Sequence, residues 1–463
     1  MNGRTVIADA EVEGRRVTVI IEGDRIIDVT DGPASGGDLR IDADGAALVP
    51  GLHDHHVHLL AMAARRAGLD LDAVGDPDGF DRALRAAAGS GAGGWLRASG
   101  HDEHRHGPLD RTRLDALVGD RRVRVQHRSG LAWVLSSAAL DEVLIGEYPS
   151  GVELDAEGVP TGRLLRLDGW LAERIGVEPP SMVGLGADLA ALGITGVTDA
   201  TPELGLGRMG MLQRAVLDGH LPQRLMLLGT EAEDIDALDG WALAGPAKIL
   251  IDEVTGLDVD RVSAAIAAKH REGRAVAIHA VSRVETVTAA TALASAGIIR
   301  GDRIEHGSIL PPELDPLLAA GGVTVIVQPS LVAERGDHYL DVVDIEDRPH
   351  LHRAATLLRA GVSIAAGSDA PVTSADPWSA IAAASRRTTR ADRVLGEAER
   401  VDAMTALGWF LTDPTDPGGA TRKVRSGGHA DLCLLDAPLS VALADPSRDR
   451  VRMTWVGGRL VHQ

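Results

Sequence analysis

The stretch LVPGLHDHHVHL, residues 48–59, crowds four histidines and an aspartate into positions 53–58, directly after a Pro-Gly turn signal. A short apolar run of this kind reads as a buried strand, and along a strand residues two apart share a side. His56 and His58 therefore project together, with Asp54, while His53 and His55 fall on the opposite side. A His-x-His pair at a strand end can hold one cation with two imidazoles, but alone it is a weak signal. The rest of the chain decides its meaning.

Working outward, the first run (AALVPGLHDHHVH, 46–58) is followed by GITGVTDATP (193–202), QRLMLLG (223–229), AKILIDE (247–253), AVAIHA (275–280), RIEHGSIL (303–310), VTVIVQP (323–329) and VSIAAGSDA (362–370). Stretches such as VDRVSAAIAAKHREG and HLHRAATLLRAG lie between them with helical spacing. Eight β-type runs separated by crossovers fit an α/β chain folded as a (β/α)8 TIM barrel. A doubly wound open sheet is the competitor, and the count of eight favours the barrel. Residues 1–48 and 426–463 instead read as short strands broken by glycine turns, predicting a small β-sandwich domain built from both chain ends around a barrel of 49–425. About 130 residues separate the first two barrel runs, too many for one crossover. The insertion 60–190 is therefore expected to cover the C-terminal mouth, where barrel active sites lie.

Bulk properties narrow the partners. With 463 residues, 44% hydrophobic, the chain can bury a large core. A formal net charge of -20 argues against nucleic acid, which calls for a basic face. The single cysteine, Cys433, excludes an internal disulfide. The charged N-terminus lacks the apolar segment of a secretory signal, and no long apolar stretch free of charge suggests a membrane span. The expectation is a cytoplasmic protein acting on a small-molecule substrate, with neither nucleic acid nor membrane as partner and a homodimer as the expected assembly.

Ionisable groups recur near the barrel-run ends: His56 and His58, Lys248, His279, His306 and Asp369, in that order along the chain. Each alone has an ordinary explanation as a hydrogen-bonded core residue, a solvated edge or a turn. Together they place expensive polar groups on apolar strands, and a metal would satisfy them at once. Zinc is the first choice, because imidazole and carboxylate ligands suit it.

With these motifs assembled, the chain resembles the amidohydrolase superfamily, and within it the amidohydrolase family 3 branch that includes N-substituted formamide deformylase. LVPGLHDHHVHL resembles the family's Pro-Gly-Phe-x-Asp-x-His-x-His segment; GGWLRASGHDE, HRSGLAWVLSSAAL and DAEGVPTGRLL resemble its insertion; RIEHGSIL, VIVQPSL, GSDAPVTSADPWSAI and GGHADLCLLD resemble later landmarks. The resemblance implies that His56 and His58 bind the more buried metal with Asp369, and that His279 and His306 bind a second. Lys248 matches the position that can be carboxylated to bridge two cations, giving one or two zinc ions per chain. It further implies a metal-dependent hydrolase that cleaves an amide-type C–N bond by metal-activated hydroxide, with Asp369 as general base and then acid. His127 and His104 in the insertion are candidate substrate or oxyanion contacts, with Arg128 and Trp133 as candidate pocket walls. The chain departs from the family at IDEVTG after the lysine, at HAVSRVE after His279, and at His53 and His55, which are read as structural rather than as ligands. The alternatives are a deaminase, or an esterase or lactonase, on the same scaffold, and a non-catalytic relative. Glu285, six positions after His279, is the nearest acid to serve a deaminase and counts mildly against that reading.

Overall fold

Runs that are apolar without alternation become strands covered on both faces: TVIV, Thr324–Val327, is buried at every position. Eight strands run parallel, most of them largely buried: β1 Leu52–Val57, β2 Ile194–Asp199, β3 Arg224–Leu227, β4 Ala247–Leu250, β5 Val276–Ala280, β6 Arg303–His306, β7 Thr324–Val327 and β8 Ser363–Ala366. The computed structural model describes residues 3–32, 36–90, 94–176, 180–253 and 256–463. β1, β2 and β3 pair side by side, as do β4 to β8 in chain order. Two seams join these sheets. At one, Lys248 N donates to Leu228 O at 3.1 Å; at the other, Asp369 N donates to His56 O at 2.7 Å and His58 N to Ala370 O at 2.8 Å. Backbone pairing thus passes from β1 to β8 and returns to β1, a TIM-barrel-like α/β arrangement. Gly367 permits the closing seam: a Cβ there would lie 2.5 Å from His56 N.

Helices follow most strands. Val259–Arg271 begins at Asp258, whose side chain accepts from Asp260 N and Arg261 N, and Arg283–Ala296 begins with a Ser282–Glu285 capping box. The crossover from β3 to β4 differs from the expected helix. Its AEDIDAL segment, Ala232–Leu238, forms a 3-10 turn because only Leu238 is buried and no apolar stripe exists to dock a helix. HLHRAATLLRAG also yields only a short helix, Ala355–Arg359. The crossover helix before β8 is Ser330–Val342.

The chain ends build two four-stranded sheets. Arg4–Val12, Arg15–Glu22, Arg25–Thr30 and Leu39–Asp42 form one; Leu48–Pro50, Leu432–Leu435, Val451–Val456 and Arg459–His462 form the other. Ile7, Val19 and Ile21 of the first share an apolar cluster with Leu48, Leu434 and Trp455 of the second. The run at 46–58 is therefore two strands, not one. Leu48–Pro50 pairs antiparallel with Leu432–Leu435, and β1 starts after Gly51, where a Cβ would sit 2.1 Å from the Thr195 side chain.

These sheets and the eight strands belong to one compact unit, Met1–Leu59 with Met182–Gln463. The second unit is Leu60–Ser181, within the predicted insertion. It has its own six-stranded sheet, in the order Val152–Leu154, Pro160–Leu165, Ala132–Leu135, Val123–His127, Leu96–His101, Leu69–Asp70. Two apolar clusters support it, one around Phe80 and Leu114 and one around Trp133 and Leu171. Among the described residues no helix is long and apolar enough to cross a membrane.

Candidate metal centre

Every residue of β1 is buried, so each polar side chain on it needs a partner. His53 Nε2 lies 2.9 Å from Thr198 Oγ1, and His55 Nε2 lies 2.9 Å from Thr412 Oγ1. Burial keeps both imidazoles well below their ordinary pKa, so they are neutral hydrogen-bonding groups turned away from the cluster described next. Asp54 shares the parity of His56 but does not join it. Its carboxylate accepts from Ser368 N at 2.9 Å, Ser368 Oγ at 2.5 Å and His56 N at 3.1 Å, clamping the β8–β1 seam. Burial raises its pKa to about 6 against these hydrogen bonds.

His56 is held by a residue that the histidine pattern did not reveal. Its Nδ1 is paired with Glu305 Oε2, and Glu305 Oε1 accepts from Arg303 Nε at 2.5 Å. Arg303 and Glu305 are fully buried. Burial pushes the Glu305 carboxyl up, but Arg303, His56 and Lys248 outweigh it and hold it well below the usual carboxylate range. Burial and the neighbouring Lys248 draw His56 down to about 3. A neutral His56 that donates Nδ1–H to Glu305 presents a bare Nε2 lone pair. That nitrogen is buried and makes no hydrogen bond to any described residue. Asp369 Oδ1 stands 3.6 Å from it and 3.1 Å from His58 Nε2. The ligand atoms of His56, His58 and Asp369 all lie within 4.8 Å of one another.

The second pair of histidines adjoins this group. The His56 and His306 rings are 4.8 Å apart, and those of His279 and His306 4.6 Å. His306 Nδ1 lies 2.9 Å from Gln328 Oε1, while Gln328 Nε2 donates to Ile326 O at 2.9 Å. This fixes the amide orientation, makes Nδ1–H the donor and turns the Nε2 lone pair toward His279 Nδ1, 3.0 Å away. Burial lowers the pKa of both imidazoles. His306 and Asp369 both have left-handed backbone, with φ of 73° and 56°. Such conformations cluster where side chains must be aimed.

Lys248 completes the group. Its stem is half-buried, but Nζ is sealed from solvent and has no hydrogen-bond partner among the described residues. Burial lowers its pKa against the pull of Glu305, Asp369 and Asp199. Two orphaned nitrogens, on His56 and Lys248, amid neutral imidazoles and an ionised carboxylate, suit a cation or a modified lysine better than a closed protein core. The donor set thus fits a divalent metal.

The substrate-side candidates all lie in the unit Leu60–Ser181, each with partners there. His127 pairs through Nε2 with Glu103 at 2.8 Å and through Nδ1 with Ser129 Oγ at 2.7 Å. Arg128 is paired with Asp102, and exposed His104 donates its backbone N–H to Asp102 at 3.1 Å. Trp133 is 4% exposed in that unit's own core, its Nε1 donating to Asp168 at 2.8 Å.

A parallel eight-stranded α/β scaffold thus gathers imidazoles, a lysine and a carboxylate, a donor set that could hold metal. Comparison with known proteins gives the family. The amidohydrolase family model matches residues 40–462. YtcJ of Bacillus subtilis (strain 168), named as an amidohydrolase, is 25% identical over 92% of this chain and 90% of its own. A metal-dependent hydrolase from Pyrococcus horikoshii OT3 superposes with a TM-score of 0.72 at 18% identity, covering 93% of this chain and 96% of that one. N-isopropylammelide isopropylaminohydrolase from Burkholderia multivorans ATCC 17616 gives a TM-score of 0.56 at 17% identity, covering 100% and 99%. The chain belongs to the amidohydrolase family, in its family 3 branch, and is a hydrolase of that type.

Proposed function

We propose that this chain hydrolyses an amide-type C–N bond of a small molecule at a centre formed by His56, His58, Lys248, His279, His306 and Asp369. One observation carries the proposal: ligand atoms of His56, His58 and Asp369 converge within 4.8 Å. These three would hold one divalent cation, and His279 with His306 a second. Zinc is the ion best suited to imidazole and carboxylate ligands. When bound, the cation supplies Lewis acidity, which acidifies water and polarises a carbonyl.

The chain's own groups do the rest. Glu305 keeps the proton of His56 on Nδ1, and Gln328 does the same for His306, so both rings offer Nε2. Burial drives Lys248 toward the neutral amine. In that form its nitrogen could bond to the carbon of carbon dioxide with loss of one proton, and the resulting carbamate would supply the acceptor oxygens that an ammonium lacks. Asp369 is raised by burial, but the His58 hydrogen bond and the neighbouring imidazoles hold it well below the usual carboxylate range. It is ionised at neutral pH, able to take the nucleophile's proton and deliver it to the departing amine.

A deaminase would need a free carboxyl near His279. The Glu285 carboxylate instead accepts from Val281 N at 2.8 Å and Ser282 N at 3.1 Å as a helix cap. The same proposal takes the eight strands as a closed (β/α)8 barrel and the terminal sheets as a β-sandwich, since their apolar faces share one cluster. The test is a screen of metal-loaded protein against N-acyl amino acids, N-formyl amines, cyclic amides and lactones, with elemental analysis alongside. An amide should be turned over, and Asp369→Asn should reduce turnover by about 10²–10⁴-fold with most metal retained. Turnover of lactones alone, or near-normal rates in that variant, would reject the proposal.

A further inference from the structure

Beside Gln328, the hydrogen-bond partner of His306, lies a small cavity bounded by Val327, Gln328, His352, Ala354, Arg387 and Trp409. Its space is about 10 Å³, room for the centre of one water molecule. The polar groups around it are unusual for so small a void. His352 is 6% exposed, and its Nε2 is buried without a hydrogen bond to any described residue. Burial and nearby Arg387 keep that imidazole neutral at ordinary pH, with a pKa near 3. The Gln328 amide spends its oxygen on His306 and one N–H on Ile326 O, leaving its second N–H unused. Arg387 donates to Leu395 O, His352 O and Leu351 O, which accounts for three of its five N–H groups. Gln328, Arg387 and His352 thus line one small space together, and the buried Nε2 of His352 lacks a partner among the described residues; a buried water typically makes about three hydrogen bonds.

We propose that this cavity holds one ordered water that accepts from Gln328 and Arg387 and donates to His352 Nε2. The water ties Gln328 to the framework and so fixes the ring of His306. His352 is then a positioning residue for the His279–His306 half of the centre, acting through water and Gln328 without touching metal or substrate. Its backbone is consistent with a side chain aimed by the fold. His352 takes a left-handed φ of 47°, held by its N–H donating to Ser308 O at 2.7 Å, two residues beyond His306. The inference rests on the metal reading of His306 given above.

The test has two arms. A high-resolution crystal structure of the metal-free protein should show a single water peak within hydrogen-bond distance of Gln328 Nε2 and His352 Nε2. An empty cavity there overturns the proposal whatever the metal chemistry. In the second arm, zinc affinity and the visible spectrum of the cobalt-loaded protein are compared for wild type, His352→Leu and His352→Gln. Leucine removes the acceptor and should weaken the second metal by about 10–100-fold and alter the cobalt spectrum. Glutamine, which can still accept from the water, should restore most of both. Equal second-metal affinity in wild type and His352→Leu would refute the positioning role. A wild type that binds no metal would instead sink the hydrolase reading and leave the water to be judged by the first arm.

Discussion

A lysine nitrogen sealed among imidazoles without a hydrogen-bond partner costs free energy in the metal-free protein in either protonation state, and Lys248 Nζ is in that position. Such a residue is kept for what it does, not for stability. Lys248→Met, close in volume, should therefore stabilise the metal-free protein by about 1–3 kcal/mol, read as a higher denaturation midpoint. The same variant should bind at most one metal per chain by elemental analysis. A less stable variant that still holds two would contradict both halves of the argument. Glu305 shows the limit of sequence reading at this scale. In RIEH the histidine stood out as a ligand type, while Glu305 read as one acid among many. The signal was there, because Arg303 and Glu305 lie two apart on a strand buried throughout and must share a side and pair. Its contact with His56, 249 positions away, is a tertiary fact that no local pattern carries.

At the scale of single elements, the strands were the most legible feature. Seven of the quoted runs each hold one parallel strand within their bounds, because apolar residues without alternation leave few other options. The eighth, 46–58, hides a join at Gly51. The apolar pattern is continuous across it, and the change of sheet comes from pairing with Leu432–Leu435 near the other end of the chain. Crossovers were less legible, since helical spacing in HLHRAATLLRAG matched a segment that the fold uses mostly as loop. Asp54 obeyed strand parity yet left the cluster because Ser368 offers it two hydrogen bonds. That seam depends on close approach, and Gly367→Ala tests it. The new Cβ would meet His56 N and Cβ at 2.5 Å, backbone and β-carbon that cannot swing aside. Overpacking of this kind costs about 1–3 kcal/mol, so the midpoint of unfolding should fall accordingly. Zinc affinity should fall with it, because His56 must shift. An alanine variant with unchanged stability and zinc affinity would mean that the seam is looser than this geometry.

Across the whole molecule, the candidate ligands come from β1 and the residue that follows it, from β4, β5 and β6, and from the turn after β8, all within Met1–Leu59 and Met182–Gln463. The unit Leu60–Ser181 contributes none of them and has its own sheet and apolar clusters. A metal that binds only the native state stabilises it by RT ln(1 + [L]/Kd), about 2.7 kcal/mol at a hundredfold excess over Kd. That free energy enters through the larger unit, where it links the strands on either side of the closing seam. Chelation should therefore lower the melting transition that reports the larger unit, and readdition of zinc should restore it in proportion to the logarithm of free zinc. Trp378 and Trp455 are buried in the larger unit, Trp133 in the smaller, so tryptophan replacement can separate the two signals. With Trp133 as the reporter, the transition should shift less on chelation than with Trp455. Equal shifts for both reporters would show that the two units unfold as one, and no shift in either would remove the metal from the account of this site.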